Sequence, residues 1–115
     1  MSRTRLAQLL TFKQQQPDDP FILYALASEY LKLNEVEPAL FYYNELLIGH
    51  PDYVGTYYHL AKLYEALDRK EEAIAVYEKG LAVAQRAGDG HAYSELLAAY
   101  KGAKGESIVD EDEDE

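Results

Sequence analysis

The chain has 115 residues, 48% of them apolar, no cysteine and a formal net charge of −10. That is the length of one domain with enough apolar material for a core, and it excludes a disulfide framework and a thiolate metal site. Six of the negative charges belong to Asp110, Glu111, Asp112, Glu113, Asp114 and Glu115, so the body carries about −4 and offers no basic face for nucleic acid.

Taken in chain order, the apolar spacing predicts six helices. The first covers 3–16, with Leu6, Leu9, Leu10 and Phe12 as its apolar residues. Arg3 and Arg5 precede that run, but Gln8 and Thr11 interrupt it, so it is not a signal peptide. No stretch reaches the ~20 apolar residues that span a bilayer. The chain reads as soluble and cytoplasmic, with neither nucleic acid nor membrane as partner.

The second helix covers 20–33. Asp19 is its N-cap, and Pro20 stands at the first helical position, where a missing N–H costs nothing. Leu23, Leu26, Ala27 and Tyr30 recur at helical spacing, and Asn34 ends the run. The third helix covers 35–48, with Ala39, Leu40, Tyr43 and Leu47 on one face. Glu37 stands three residues after Asn34, as in a capping box, and Pro38 lies in the first turn. Gly49, His50 and Pro51 stop it.

The fourth helix covers 54–67 and presents Tyr57, Leu60, Ala61 and Tyr64. Asp68 is read as the cap of the fifth, 69–87, with Glu71 three residues on and Ala73, Ile74, Tyr77 and Leu81 as its apolar face. The sixth covers 90–102, with Tyr93, Leu96 and Tyr100. No alternating apolar run is bounded by hairpin dipeptides, so no strand is expected. Residues 105–115 read as a disordered acidic tail. A solubilising tail is its plainer reading, and a lure for a basic partner the sharper one.

Residues 17–50 superpose on 51–84. Pro17 falls on Pro51, Tyr24 on Tyr58, Leu26 on Leu60, Ala27 on Ala61, Tyr30 on Tyr64, Ala39 on Ala73 and Tyr43 on Tyr77. Self-similarity at about 34 residues signals stacked helical pairs. The first helix takes the place of the second member of a pair. The sixth takes the place of a first member, at an offset of about 36. The expected fold is all-α: a right-handed α-solenoid of antiparallel helix pairs over 1–104, arranged as a half repeat, two full repeats and a half repeat.

The run Leu23, Leu26, Ala27, Tyr30, Ala39, Tyr43, Pro51, repeated as Tyr57, Leu60, Ala61, Tyr64, Ala73, Tyr77, resembles the tetratricopeptide repeat family. The resemblance covers 17–84 well and the flanks in part. Where the family prefers a small residue late in the second helix, one unit has Leu46 and the other Gly80. Gln85 replaces the proline seen at Pro51. Leu97 and Arg5 fill positions held elsewhere by Ala27 and Ala61, and by Ala39 and Ala73. Each is read as large because no partner helix presses on it, so both ends are expected to be true termini.

The resemblance implies a non-catalytic adaptor or scaffold that binds a peptide or helix of another protein in a concave groove lined by the first helix of each pair. Carried over residue by residue, the groove is Phe21, Tyr24, Ser28 and Lys32, then Tyr58, His59 and Lys62, then His91 and Glu95. Tyrosine suits such a surface, with its broad apolar ring and polar tip. Packing between neighbouring helices is the bland reading of Tyr24 and Tyr58. Members that hold acidic chaperone tails use five groove positions, which here read Tyr24, Ser28, His59, His91 and Glu95. None matches, so that carboxylate clamp is not expected.

The same mapping brings His59, His91 and Glu95 together as a weak candidate for a metal or proton-sensitive spot. No cofactor is read. No Gly-rich phosphate loop appears, and Ser28 and Ser94 lack an orienting third group, so an enzyme is not expected. The alternative to partner binding is self-association as a homodimer. Phe41 and Tyr42 of the third helix, with Ala75 and Val76 of the fifth, lie off the core stripe and would supply a patch on the convex side.

Overall fold

The computed structural model describes residues 2–105, and the expected acidic tail beyond Gly105 lies outside the described residues. Among the described residues there are six helices and no strand, which makes the fold all-α. The helices are α1 (Ser2–Gln15), α2 (Pro20–Lys32), α3 (Val36–Gly49), α4 (Gly55–Ala66), α5 (Lys70–Ala87) and α6 (Gly90–Ala103). The backbone divides into two compact units, Met1–Thr56 and Tyr57–Glu115.

In the first unit α2 packs against both α1 and α3. Leu6 and Leu9 of α1 join Ile22, Ala25 and Leu26 of α2 in one core, with Leu10, Tyr30, Leu33 and Tyr42 packed against it. Ala27 and Ala39 are fully buried. Their single methyl groups let helix backbones approach closely. The start of α2 is set locally: the Asp19 carboxylate accepts the Phe21 N–H at 2.9 Å, with Pro20 in the first turn.

Both units turn from their first full helix into the next by the same device. Asn34 and Asp68 each adopt φ of 62°. The Glu35 N–H donates to the Tyr30 carbonyl at 2.9 Å, and the Asn34 N–H to the Leu31 carbonyl at 2.9 Å. In the second unit Arg69 donates to the Tyr64 carbonyl at 2.8 Å and Asp68 to the Glu65 carbonyl at 3.0 Å. This is the Schellman closure of a helix C-terminus, with a left-handed residue just past its end. It corrects the expected capping boxes. The N-caps of α3 and α5 are Glu35 and Arg69, and neither makes a side-chain capping bond. In so short a turn Asn34 and Asp68 close the helix behind them rather than open the one ahead.

The second unit buries Leu60, Ala61 and Tyr64 of α4, Ala73, Val76 and Tyr77 of α5, and Leu96 of α6. Gly80 lets α5 approach α4 and α6 closely. A Cβ there would lie 2.6 Å from the Tyr57 Cβ and 3.3 Å from the Leu96 Cδ1. Gly88, at φ of 69°, ends α5 by the same Schellman closure, the Asp89 N–H donating to the Ala84 carbonyl at 3.0 Å. Here Asp89 does cap the next helix, accepting the Ala92 N–H at 3.0 Å.

Arg5 has a partner that the sequence reading did not give it. Its Nε lies 3.3 Å from Oε1 of Glu29, a carboxylate only 6% exposed. Glu29 stands at the register of Leu63, so the first unit holds an ion pair where the second holds a leucine. Arg3 also reaches across, to Glu35 at the start of α3.

Candidate functional site

The first unit carries four of the expected site residues on α2. Phe21, Tyr24, Ser28 and Lys32 recur at three- and four-residue spacing, which puts them on one stripe. Phe21 heads that stripe and is 63% exposed. Tyr24 is half-buried, its ring 6.3 Å from Tyr43 in an edge-on contact and 6.1 Å from Tyr53. The Ser28 side chain is near the Tyr43 phenol and acts to lower its pKa. Burial is the main cause that pushes the Tyr43 and Tyr53 phenols above their ordinary pKa, and Tyr24 raises both further. Lys32 lies 4.0 Å from the Glu29 carboxylate that also receives Arg5, so two exposed cations share one buried acid.

The second unit carries the other five. Tyr58, His59 and Lys62 stand on α4, and His91 and Glu95 on α6. The His59 ring meets Tyr58 edge-on at 5.5 Å, and the Lys62 ammonium lies 5.8 Å from the centre of the Tyr58 ring. Burial pulls the His59 pKa below its ordinary value, and the nearby Glu95 charge opposes that shift. His59 therefore favours its neutral form near pH 7.

The weak metal candidate at His59, His91 and Glu95 is not formed. Among the described residues no three His, Asp or Glu side chains come together in a way that could hold a metal ion. His91 is 88% exposed on its side chain and stands 4.0 Å from Glu95.

Two residues that matter were not found from the sequence. Tyr53 sits in the turn before α4, outside the repeating apolar positions, yet it packs on Tyr24. Glu29 of α2 is buried although it carries a carboxylate. On the other face, Phe41 is 56% and Ile48 79% exposed, both on the outward side of α3. Tyr42 is stacked on Tyr30 at 5.8 Å and belongs to the packing. Val76 is buried, which removes it from the expected self-association patch. Among the described residues no helix is long and apolar enough to cross a membrane.

Compared with known families, residues 22–47 and 54–86 match the tetratricopeptide repeat. The solution NMR structure of a tetratricopeptide repeat domain protein from Salinibacter ruber is 49% identical, covering 80% of this chain and 93% of that one, with a TM-score of 0.75. A crystal structure of a tetratricopeptide repeat domain protein from the same organism is 50% identical over 76% of this chain and 97% of the other, with a TM-score of 0.72. The crystal structure of the MamA protein shares the fold alone, at 21% identity and a TM-score of 0.70 over 90% of this chain and 55% of that chain. No curated protein matches.

Proposed function

The chain belongs to the tetratricopeptide repeat family, and we propose that it is a non-catalytic interaction module that holds a peptide or helix of a partner protein. Proteins with this fold generally mediate protein–protein interactions and are typically not catalysts. The contact surfaces in this reading are the α2 stripe of the first unit and the α4 and α6 residues Tyr58, His59, Lys62, His91 and Glu95 of the second. An adaptor or scaffold in the cytoplasm is the setting it implies.

The observation that carries the reading is Phe21. A phenylalanine 63% exposed at the head of a stripe of Tyr24, Ser28 and Lys32 is apolar surface without a role in the core. Aromatic anchors of this kind dominate the energetics of peptide recognition. Tyr24 is the poorer probe, because its ring is part of the packing with Tyr43 and Tyr53. Partner capture by the intact chain, compared with Phe21→Ser and His59→Ser variants, tests the reading. Both side chains are exposed, so the variants should stay folded and lose the partner. A partner held equally by both variants would overturn it.

Self-association remains the second reading, favoured by Phe41 and Ile48 together on the outward side of α3. It expects a dimer in solution that Phe41→Asp splits, as seen by light scattering.

A further inference from the structure

An aromatic cleft opens in the first unit where α3 gives way to the turn before α4. Pro20 forms one wall, and His50, Pro51, Asp52 and Tyr53 line the other. The Tyr53 ring packs on Tyr24 at 6.1 Å, and Phe21 follows Pro20 directly, so the cleft adjoins the α2 stripe.

Charge around this cleft is one-sided. Asp18 and Asp19 precede Pro20, and Asp52 lies in the cleft wall. Asp19 is close enough to Tyr53 to help hold its phenol neutral. No lysine or arginine occurs between Lys13 and Lys32, and none between Lys32 and Lys62. His50, hydrogen-bonded to Asp18 at 3.2 Å, is the basic side chain of the cleft.

The second unit shows how the same register is used when a cation is present. Lys62 lies over the Tyr58 ring at 5.8 Å. In the first unit Tyr24 and Ser28 stand at those two positions, so that register holds a serine where the second unit has its cation.

We infer that the Pro20–Tyr53 cleft receives a cationic side chain, Lys or Arg, of a partner peptide whose neighbouring apolar residue rests on Phe21. The inference builds on the α2 face as a partner-binding surface and names the chemistry that face selects. An aromatic ring attracts a cation through its quadrupole, and aspartates nearby add an attraction that salt screens. The same three aspartates repel an acidic segment, so the selection has a sign.

The test selects random displayed peptides on the full chain, then measures one selected peptide beside a form in which citrulline replaces arginine. Citrulline keeps the shape and removes the charge. Selected sequences should carry Lys or Arg beside an apolar residue. Citrulline should weaken binding about fivefold or more. Asp52→Asn should weaken it comparably and Asp52→Lys abolish it, while Glu71→Gln, which removes an exposed acid of α5, leaves it unchanged. Asp52 is exposed, so these variants keep the fold, which circular dichroism checks. Peptides without basic residues that lose binding on Phe21→Ser would overturn the cationic assignment and leave the α2 face standing. Peptides indifferent to both Phe21→Ser and Asp52→Lys would overturn the two together.

Discussion

Gly80 of α5 and Tyr57 of α4 stand so close that a methyl group on the glycine would lie 2.6 Å from the tyrosine Cβ. Two backbones meet there, so no side-chain rotation can relieve the clash. Glycine inside a helix normally costs about 1 kcal/mol relative to alanine, and at Gly80 the close approach outweighs that cost. Gly80→Ala should destabilise the protein by about 1–3 kcal/mol. Gly102→Ala, in α6 with nothing within 4 Å of the added methyl, should do the reverse by about 0.5–1 kcal/mol. Urea denaturation of the two variants checks the pair, and a Gly80→Ala protein as stable as wild type would contradict the close approach.

Asn34 and Asp68 carry a second expectation. At φ of 62° a Cβ crowds the following carbonyl, which Asn and Asp tolerate better than other residues. Replacing either with alanine should cost about 1 kcal/mol. Glycine at either position should stay within about 0.5 kcal/mol of wild type. Thermal melts of the four variants distinguish this from a capping role, in which glycine and alanine would both lose the side-chain bond.

Those two residues also mark where sequence reasoning stopped. The six helices were legible because apolar spacing and the repeat are properties of consecutive residues. So was the start of α2, because Asp19 and Pro20 act on their own first turn. Asn34 and Asp68 were read as caps because the same residue types favour an N-cap and a left-handed turn, and only turn length separates the two. Glu29 was opaque because the cation it pairs with, Arg5, lies far away in the chain. The α2 stripe could be read from its spacing, whereas Tyr53 joins it from a turn that has no periodicity. The histidine pair shows the limit of register. Mapping gave shared backbone positions for His59, His91 and Glu95, but not side chains at coordination distance.

The Arg5–Glu29 pair yields a double-mutant cycle. Arg5→Leu leaves Glu29, 4% exposed, with Lys32 at 4.0 Å as its cation. Since Arg5 is itself 58% exposed on its side chain, the loss should be about 1–2 kcal/mol, below that of a fully buried pair. Adding Glu29→Leu, the residue found at the same register as Leu63, should recover most of it. Denaturation of the two single variants and the double variant measures the coupling. Additive losses would mean that the pair contributes nothing as a pair.

Thr56 is fully buried, and its hydroxyl has no hydrogen-bond partner. A buried unsatisfied hydroxyl costs about 1–3 kcal/mol, and valine has nearly the same shape without it. Thr56→Val should therefore raise the melting temperature, the opposite of the usual effect of a core substitution. Calorimetry decides it, and a lower melting temperature would show that the hydroxyl is satisfied in solution.

The last expectation concerns high pH. Burial raises the Tyr77 phenol pKa far above its ordinary value, and the hydrogen bond it donates to Glu65 at 2.5 Å and the charge of that carboxylate raise it further. Burial likewise raises Tyr42, Tyr43 and Tyr53. In the unfolded chain these phenols release their protons near pH 10, while in the folded chain they keep them. The folded state then binds more protons, so stability is complete below about pH 10 and falls as pH rises above it. Each such tyrosine contributes a slope of up to about 1.4 kcal/mol per pH unit. Tyr77→Phe should cost about 1 kcal/mol at neutral pH through the lost hydrogen bond, yet show a shallower decline above pH 10. Urea unfolding across that range reads both effects, and parallel declines for the variant and wild type would mean that Tyr77 ionises as freely in the folded protein as in the unfolded chain.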